Sequence, residues 1–119
     1  MRVMTTGGAP IENSVMDFIK VVFSIPVVQG YGLTETAANT SCTDSEDPVA
    51  VDHVGGPKAA CKVRLRDIQE MGYTSQDKPY PRGELCVKGP SVFSGYYKRP
   101  EITAECFDAE GWFLTGDVA

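Results

Sequence analysis

The sequence predicts an α/β layer followed by a mostly β region. Three observations carry that expectation. In the first third, an amphipathic stripe, a buried apolar run and a glycine turn follow one another. Further on, two segments alternate charged and apolar residues with a period of two. Twelve Gly and eight Pro cut the whole chain into short pieces.

The stripe is Ile11, Val15, Phe18, Ile19 and Val22, the apolar face of a helix. Pro10 suits a first helical turn, where a missing N–H costs nothing, and Glu12 suits the positive end of the helix dipole. Pro26 forbids continuation, so Val27-Val28-Gln29 reads as a short buried strand. It runs into Gly30-Tyr31-Gly32, where two glycines permit a tight turn with exposed backbone. That order marks the edge of an α/β layer. Residues 39–52 are polar, acidic and turn-rich, which predicts a surface loop. Lys62–Arg66 and Glu84–Lys88 then read as half-buried strands, the second with Leu85 and Val87 inward. Asp67–Gly83 is a long connection. Pro100 opens a short helix through Glu101, Ile102 and Glu105. Two parts are expected, 1–52 and 53–119, with the junction near residues 50–55.

Composition excludes several classes. The 119 residues carry eleven Lys and Arg against sixteen Asp and Glu, a formal charge of −5. Phosphate neutralisation on DNA or RNA needs clustered positive charge, so no nucleic-acid partner is expected. The run Val21–Val28 is interrupted by Ser24 and Pro26, too short for a membrane span. The start, MRVMTTGGAP, is not a secretory signal. Cys42, Cys61, Cys86 and Cys106 form no CxxC pair and one His is present, so a zinc site is not expected. Reduced thiols in a cytosolic setting follow.

Three segments could carry chemistry. Thr5-Thr6-Gly7-Gly8-Ala9-Pro10 precedes the helix, where free N–H groups attract anions. It is not a Walker loop, and taken alone such a turn is more often a plain loop than a ligand site. In Gln29-Gly30-Tyr31-Gly32-Leu33-Thr34-Glu35-Thr36, Tyr31 offers a face for stacking a nucleobase and Thr34 a hydroxyl. Glu35 offers a hard oxygen ligand of the kind Mg²⁺ accepts beside substrate phosphates. The same residues also suit a strand, a turn and a helix cap. Asp117, after Thr115-Gly116, could accept two hydrogen bonds from ribose hydroxyls, or could be a surface turn residue. His53 before Gly-Gly-Pro reads as structural, and Asp44-Ser45-Glu46-Asp47 as a solvated run. No GxSxG marks a nucleophilic serine.

GGAP at 7–10, QGYGLTET at 29–36, GELCVKGPSVFSGYYKRPEIT at 83–103 and GWFLTGD at 111–117 together resemble the adenylate-forming, AMP-binding superfamily. Glu-Met-Gly-Tyr at 70–73, Pro-Arg-Gly-Glu and Gly-Pro-x-Val-Phe-x-Gly-Tyr are similar to its long-chain fatty acyl-CoA synthetase branch. The resemblance implies a part of the large N-terminal domain of such an enzyme, an α/β edge plus a β-barrel-like subdomain. It implies a ligase that converts a long-chain fatty acid and ATP, with Mg²⁺, to an acyl-adenylate and then to the thioester of coenzyme A. Carried over, Gly8 and Ala9 would line the adenine and acyl pocket, Gln29 and Gly30 would border the base, and Tyr31 would stack on it. Thr34 would contact the α-phosphate, and Glu35 would bind Mg²⁺. These two residues are the expected catalytic pair. Gly32 and Ala37 would flank the acyl carboxylate, and Asp117 would hold the ribose. The alternatives are an adenylation domain for another carboxylic acid and a non-catalytic nucleotide-binding module.

The sequence also departs from the superfamily pattern. The Ser/Thr/Gly-rich phosphate loop ending in Pro-Lys, the hinge and the catalytic lysine are not among these residues, and Leu114 stands where a polar residue is common. The chain is therefore expected to be a central fragment, inactive by itself, with unpaired strand edges that favour self-association. A cytoplasmic, membrane-associated or peroxisomal setting is expected for the whole protein.

Overall fold

The protein is described by a computed structural model covering residues 2–47 and 52–119. It divides into two compact units, Met1–Lys58 and Ala59–Ala119. The predicted stretch Pro48–Asp52 of the acidic loop lies, but for Asp52, outside the described residues.

The first unit is built on a βαβ segment. Strand β1 (Met4–Thr6) and strand β2 (Val27–Tyr31) pair in parallel, Thr5 opposite Val28 and Thr6 opposite Gln29. Parallel neighbours need a crossover, which here is helix α1 (Asn13–Phe23). The helix starts later than expected. Glu12 is its extended cap residue, whose carbonyl accepts from Val15 and Met16 N–H at 3.0 Å, and Pro10 stays in the preceding connection. Those connecting residues bring the chain from the end of β1 to the helix start, so the proline marks the loop and not the first turn. The buried helix residue is Met16, 2% exposed, which the predicted stripe omits. Phe18 is 65% exposed, and Val15 and Val22 are exposed too, because apolar residues occupy more than one side of α1. Left-handed Ser24 closes the helix, and Val27-Val28-Gln29 is buried as expected.

Residues 39–52 are not simply a surface loop. Ser41–Cys42 form β3 (antiparallel to β2), and Gly56–Pro57 form β4, which pairs with β3. Thr40, Ser41 and Thr43 are buried despite their polarity. Hydrogen bonding makes the burial of Thr43 and Thr40 tolerable: the Gln29 N–H donates to Thr43 Oγ1 at 3.0 Å, and Thr40 Oγ1 donates to Thr36 Oγ1 at 2.9 Å. The sheet order is β1-β2-β3-β4. His53 accepts from the Gly55 N–H through Nδ1 at 3.0 Å.

The second unit holds the two predicted alternating strands, β5 (Lys62–Arg66) and β6 (Glu84–Lys88), antiparallel with Val63 opposite Val87 and Leu65 opposite Leu85. Strand β6 is central, since β7 (Phe113–Val118) flanks its other side. Cys86 and Val87 are therefore both fully buried, while Leu85 is half-buried. The Thr-Gly-Asp segment belongs to β7 and is not a terminal turn. A register shift opposite Glu84–Cys86 and Gly116 at φ 74° make it a bulge.

Aromatic rings close this unit: the Phe93 ring meets Tyr96 at 4.9 Å and Phe113 at 5.5 Å, both edge to face. Helix α2 (Pro100–Glu105) opens on Pro100 as expected. Thr103 Oγ1 accepts from the Tyr96 N–H at 2.9 Å and donates to the Arg99 carbonyl at 2.8 Å. Gly95 has φ 139°, and a Cβ there would stand 2.4 Å from Thr103 Cγ2. The glycine of the SGYY segment is thus a packing requirement.

Two carboxylates brace the unit. Asp108 Oδ1 accepts from the Trp112 and Glu110 N–H groups at 2.9 Å, and its other oxygen pairs with Arg64. The Trp112 N–H first, then that of Glu110 and the charges of Arg64 and Lys88, hold its carboxyl below the ordinary value of 3.8. Asp77 is lowered likewise, by the Thr74 N–H and hydroxyl and then by Arg82. The unfolded chain therefore binds more protons near these values than the folded one. Their stabilisation is complete above 3.8 and is lost as pH falls through the lower folded values. Urea midpoints measured from neutral pH downward should drop steeply below about pH 4. The Asp108→Asn variant should start lower at neutral pH and fall less.

Candidate functional site

Parallel strands end at a common level, and ligands of α/β sheets bind beyond their carboxyl ends. Strand β1 ends in Thr6 and passes into Gly7-Gly8, while β2 ends in Tyr31 and passes into Gly32-Leu33-Thr34. A cleft of about 590 Å³ opens there, lined by Thr5 to Gly8 from one strand end and by Gly30, Gly32, Leu33 and Thr34 from the other. Its remaining walls include Asn39, Cys42 and Lys58. This volume lies within the range of about 300–1,000 Å³ usual for small-ligand sites.

Glycines just past these strand ends let neighbouring backbone approach closely. A Cβ on Gly7 would lie 3.1 Å from the Gly30 carbonyl oxygen, and one on Gly32 would lie 2.4 Å from the Ala38 carbonyl carbon. Residues Thr34–Thr36 form a short 3-10 turn, followed by Ala37 and Ala38 at φ 53° and 56°. Left-handed backbone costs an alanine about 1–2 kcal/mol. The turn is held by one buried hydroxyl: Thr36 Oγ1 donates to the Leu33 carbonyl at 3.1 Å and accepts from the Leu33 N–H at 2.9 Å. With the Thr40 hydroxyl as second donor, its hydrogen-bonding capacity is filled.

The expected residues are placed as follows. Gly8, Gly30, Gly32 and Thr34 line the cleft. Ala9 is exposed in the connection after Gly8, and Ala37 is the first left-handed residue after the turn. Gln29 is buried, its N–H and carbonyl both bonded to Thr43. Tyr31 ends β2, half-buried, and its carbonyl accepts from the Thr40 N–H at 3.0 Å. Glu35 is a half-buried carboxylate in the 3-10 turn. No group of three His, Cys, Asp or Glu side chains gathers among the described residues. A divalent ion at Glu35 would thus take one protein carboxylate and complete its shell from ligand oxygens and water, a mode Mg²⁺ accepts.

Asp117 lies in the second unit, exposed, on the β7 bulge. The bulge is secured by Glu84, 7% exposed, whose Oε1 accepts from the Gly116 N–H at 3.0 Å while Oε2 pairs with Arg66. Thr115 Oγ1 donates to the Leu85 carbonyl at 2.7 Å and accepts from the Asp117 N–H at 3.1 Å. Sequence reasoning missed Thr36, Glu84, Cys42 and Lys58. The signal for Glu84 was present, as an acid at the head of an alternating strand with Arg66 opposite it.

Thr36→Val leaves the Leu33 N–H and the Thr40 hydroxyl without their acceptor, so it should cost about 2–4 kcal/mol in urea unfolding. Glu84→Ala strips the Gly116 N–H of its acceptor and should cost about 1–3 kcal/mol. Amide exchange in the second variant should quicken at Gly116 and Asp117 first.

Comparison with known proteins fits this geometry. Residues 1–97 match the family model described as AMP-binding enzyme. Long chain acyl-CoA synthetase 7, peroxisomal, of Arabidopsis thaliana is 49% identical over 118 residues, and fatty acyl-CoA synthetase A of Dictyostelium discoideum is 45% identical. The alignments cover 99% of this chain but 17% and 18% of those relatives' lengths. Among solved structures, the N-terminal domain of FACL13 from Mycobacterium tuberculosis superposes with a TM-score of 0.80 at 31% identity, covering 99% of this chain and 29% of that one. The A domain of a carboxylic acid reductase from Segniliparus rugosus, in complex with AMP and a carboxylic acid, gives 0.73 at 40% identity, over 96% of this chain and 16% of that one. The fold is that of a part of the N-terminal domain of adenylate-forming enzymes, and the chain belongs to the AMP-binding enzyme family.

Proposed function

We propose that this chain is the nucleotide-side portion of an ATP-dependent long-chain fatty acid–CoA ligase. In this reading a fatty acid and Mg·ATP give an acyl-adenylate and pyrophosphate, and coenzyme A then takes the acyl group. The observation that carries it is the glycine-floored cleft at the carboxyl ends of β1 and β2, in a chain 49% identical to a long chain acyl-CoA synthetase. Gly8 and Ala9 approach the adenine and acyl group through backbone, and Gln29 and Gly30 border the base that Tyr31 stacks on. Thr34 donates to the α-phosphate, Glu35 holds Mg²⁺, and Gly32 and Ala37 leave room for the acyl carboxylate. Asp117 accepts from the ribose hydroxyls. The names of two plant relatives support a peroxisomal setting, and no helix among the described residues is long and apolar enough to cross a membrane.

A second reading, activation of another carboxylic acid, draws on the 40% identity to the reductase A domain. Acid dependence separates the two, because the long-chain reading expects ATP–pyrophosphate exchange in the complete enzyme with palmitate and not with short or aromatic acids.

Positioned positive charge on the phosphates supplies much of the rate in such transfers, and these 119 residues contain no Ser/Thr/Gly-rich loop ending in Pro-Lys. The chain by itself should therefore release no pyrophosphate from ATP and palmitate. In the complete enzyme, Tyr31→Ala removes a stacking contact of about 1–3 kcal/mol and should lower acid-dependent ATP–pyrophosphate exchange about tenfold or more. Asp117→Asn removes a charged acceptor worth about 1.5–3 kcal/mol and should act mainly on the KM for ATP. Unchanged exchange in both variants would contradict the reading.

A further inference from the structure

Asp117 sits where the strand ladder is interrupted. Cys86 faces Leu114 and Glu84 faces Val118, so Leu85 alone stands opposite Thr115, Gly116 and Asp117. Regular pairing holds on both sides of this bulge. Val87 faces Phe113, and the Gly83 and Ala119 backbones exchange hydrogen bonds of 3.0 and 2.9 Å. Between those anchors the ladder does not fix the course of β7, and side chains take over.

Two of them do so. Thr115 Oγ1 donates to the Leu85 carbonyl at 2.7 Å and accepts from the Asp117 N–H at 3.1 Å. Glu84 Oε1 accepts from the Gly116 N–H at 3.0 Å. Gly116 has φ 74°, and a Cβ there would meet nothing within 4 Å, so glycine serves the backbone conformation and not a shortage of space. That left-handed residue sets the direction in which the chain delivers Asp117, and its N–H is the group that Glu84 holds. Glu84 is itself fixed from behind. It is 7% exposed, and Arg66, its partner in the β5–β6 pairing, donates to its Oε2. Arg66, Glu84 and the Gly116 N–H thus form a chain of contacts from β5 across β6 to β7.

We infer that Glu84, held by Arg66, is a positioning residue that aims Asp117 at the ribose hydroxyls and so sets the preference for a ribonucleotide over a deoxyribonucleotide. The inference rests on the proposed contact between Asp117 and the ribose. Glu84 touches no substrate in this scheme. It acts because a hydrogen bond weakens steeply once its acceptor swings out of line.

The test compares ATP with 2′-deoxy-ATP in acid-dependent ATP–pyrophosphate exchange by the complete enzyme. The readout is the ratio of kcat/KM for the two nucleotides, which a loss of folded protein leaves unchanged. Glu84→Ala should lower that ratio about tenfold, the low end for one hydrogen bond to a charged acceptor. Glu84→Gln keeps an acceptor for the Gly116 N–H and should restore most of it. Added to Asp117→Ala, Glu84→Ala should lower the ratio no further, because it acts through that carboxylate. The inference is overturned by a wild-type ratio in Glu84→Ala while Asp117→Ala lowers it. A Gln variant as poor as the Ala variant, or an additive fall in the double variant, overturns it too. No preference in the unaltered enzyme, or a wild-type ratio in Asp117→Ala, counts instead against ribose at Asp117 and so against the functional reading. Should Glu84→Ala give no soluble enzyme, Glu84→Asp decides, since its carboxylate falls one methylene short of the Gly116 N–H. A lowered ratio there upholds the inference, and a wild-type ratio refutes it.

Discussion

The parallel pairing of β1 with β2 is the constraint on which the candidate site depends. Two strands running the same way must end at the same edge, and the chain must leave both ends without filling the space above them. Glycine meets that demand at Gly7 and Gly32, where a methyl group would press on neighbouring backbone. Ala37 and Ala38 hold left-handed backbone at the rim, stabilised by the Thr36 hydroxyl and by N–H donation from Ala38 to the Leu33 carbonyl at 2.8 Å. Strain of this kind persists where surrounding bonds over-determine it, and such places are commonly functional.

In the second unit the logic is presentation. The Arg64 guanidinium lies 4.6 Å from the centre of the Trp112 ring while pairing with Asp108 and Glu110, and the Phe93, Phe107 and Phe113 rings fill the space beside β7. On that frame the β7 bulge turns one carboxylate, Asp117, out to solvent, with Glu84 and Thr115 holding the two backbone groups around it. Buried acids are costly unless paired, and Glu84 is paired twice.

The strands were legible in the sequence because burial on one side imposes a period of two, and Lys62–Arg66 and Glu84–Lys88 obey it. Pro100 located α2 for an equally local reason, its fixed φ and missing N–H. Pro10 misled because a proline suits a loop as well as a first turn, and only the reach from β1 decides between them. Thr40 and Thr43 read as surface because composition sees a hydroxyl but not the partner that satisfies it. The same blindness hid Thr36 and Glu84. Gly30, Gly32 and Thr34 line the cleft, and they were legible because the glycine turn is written in consecutive residues. Lys58 was not, because the β3–β4 pairing brings it to Cys42 from sixteen residues away.

Hydrogen exchange on the full protein, with and without a saturating acyl-adenylate analogue, tests the account most directly. Slowed exchange at Gly7, Gly8 and residues 30–34, with little change along β5, is the result expected if ligand sits on the carboxyl ends of β1 and β2. Saturable binding that leaves those amides exchanging at their free rate would contradict it.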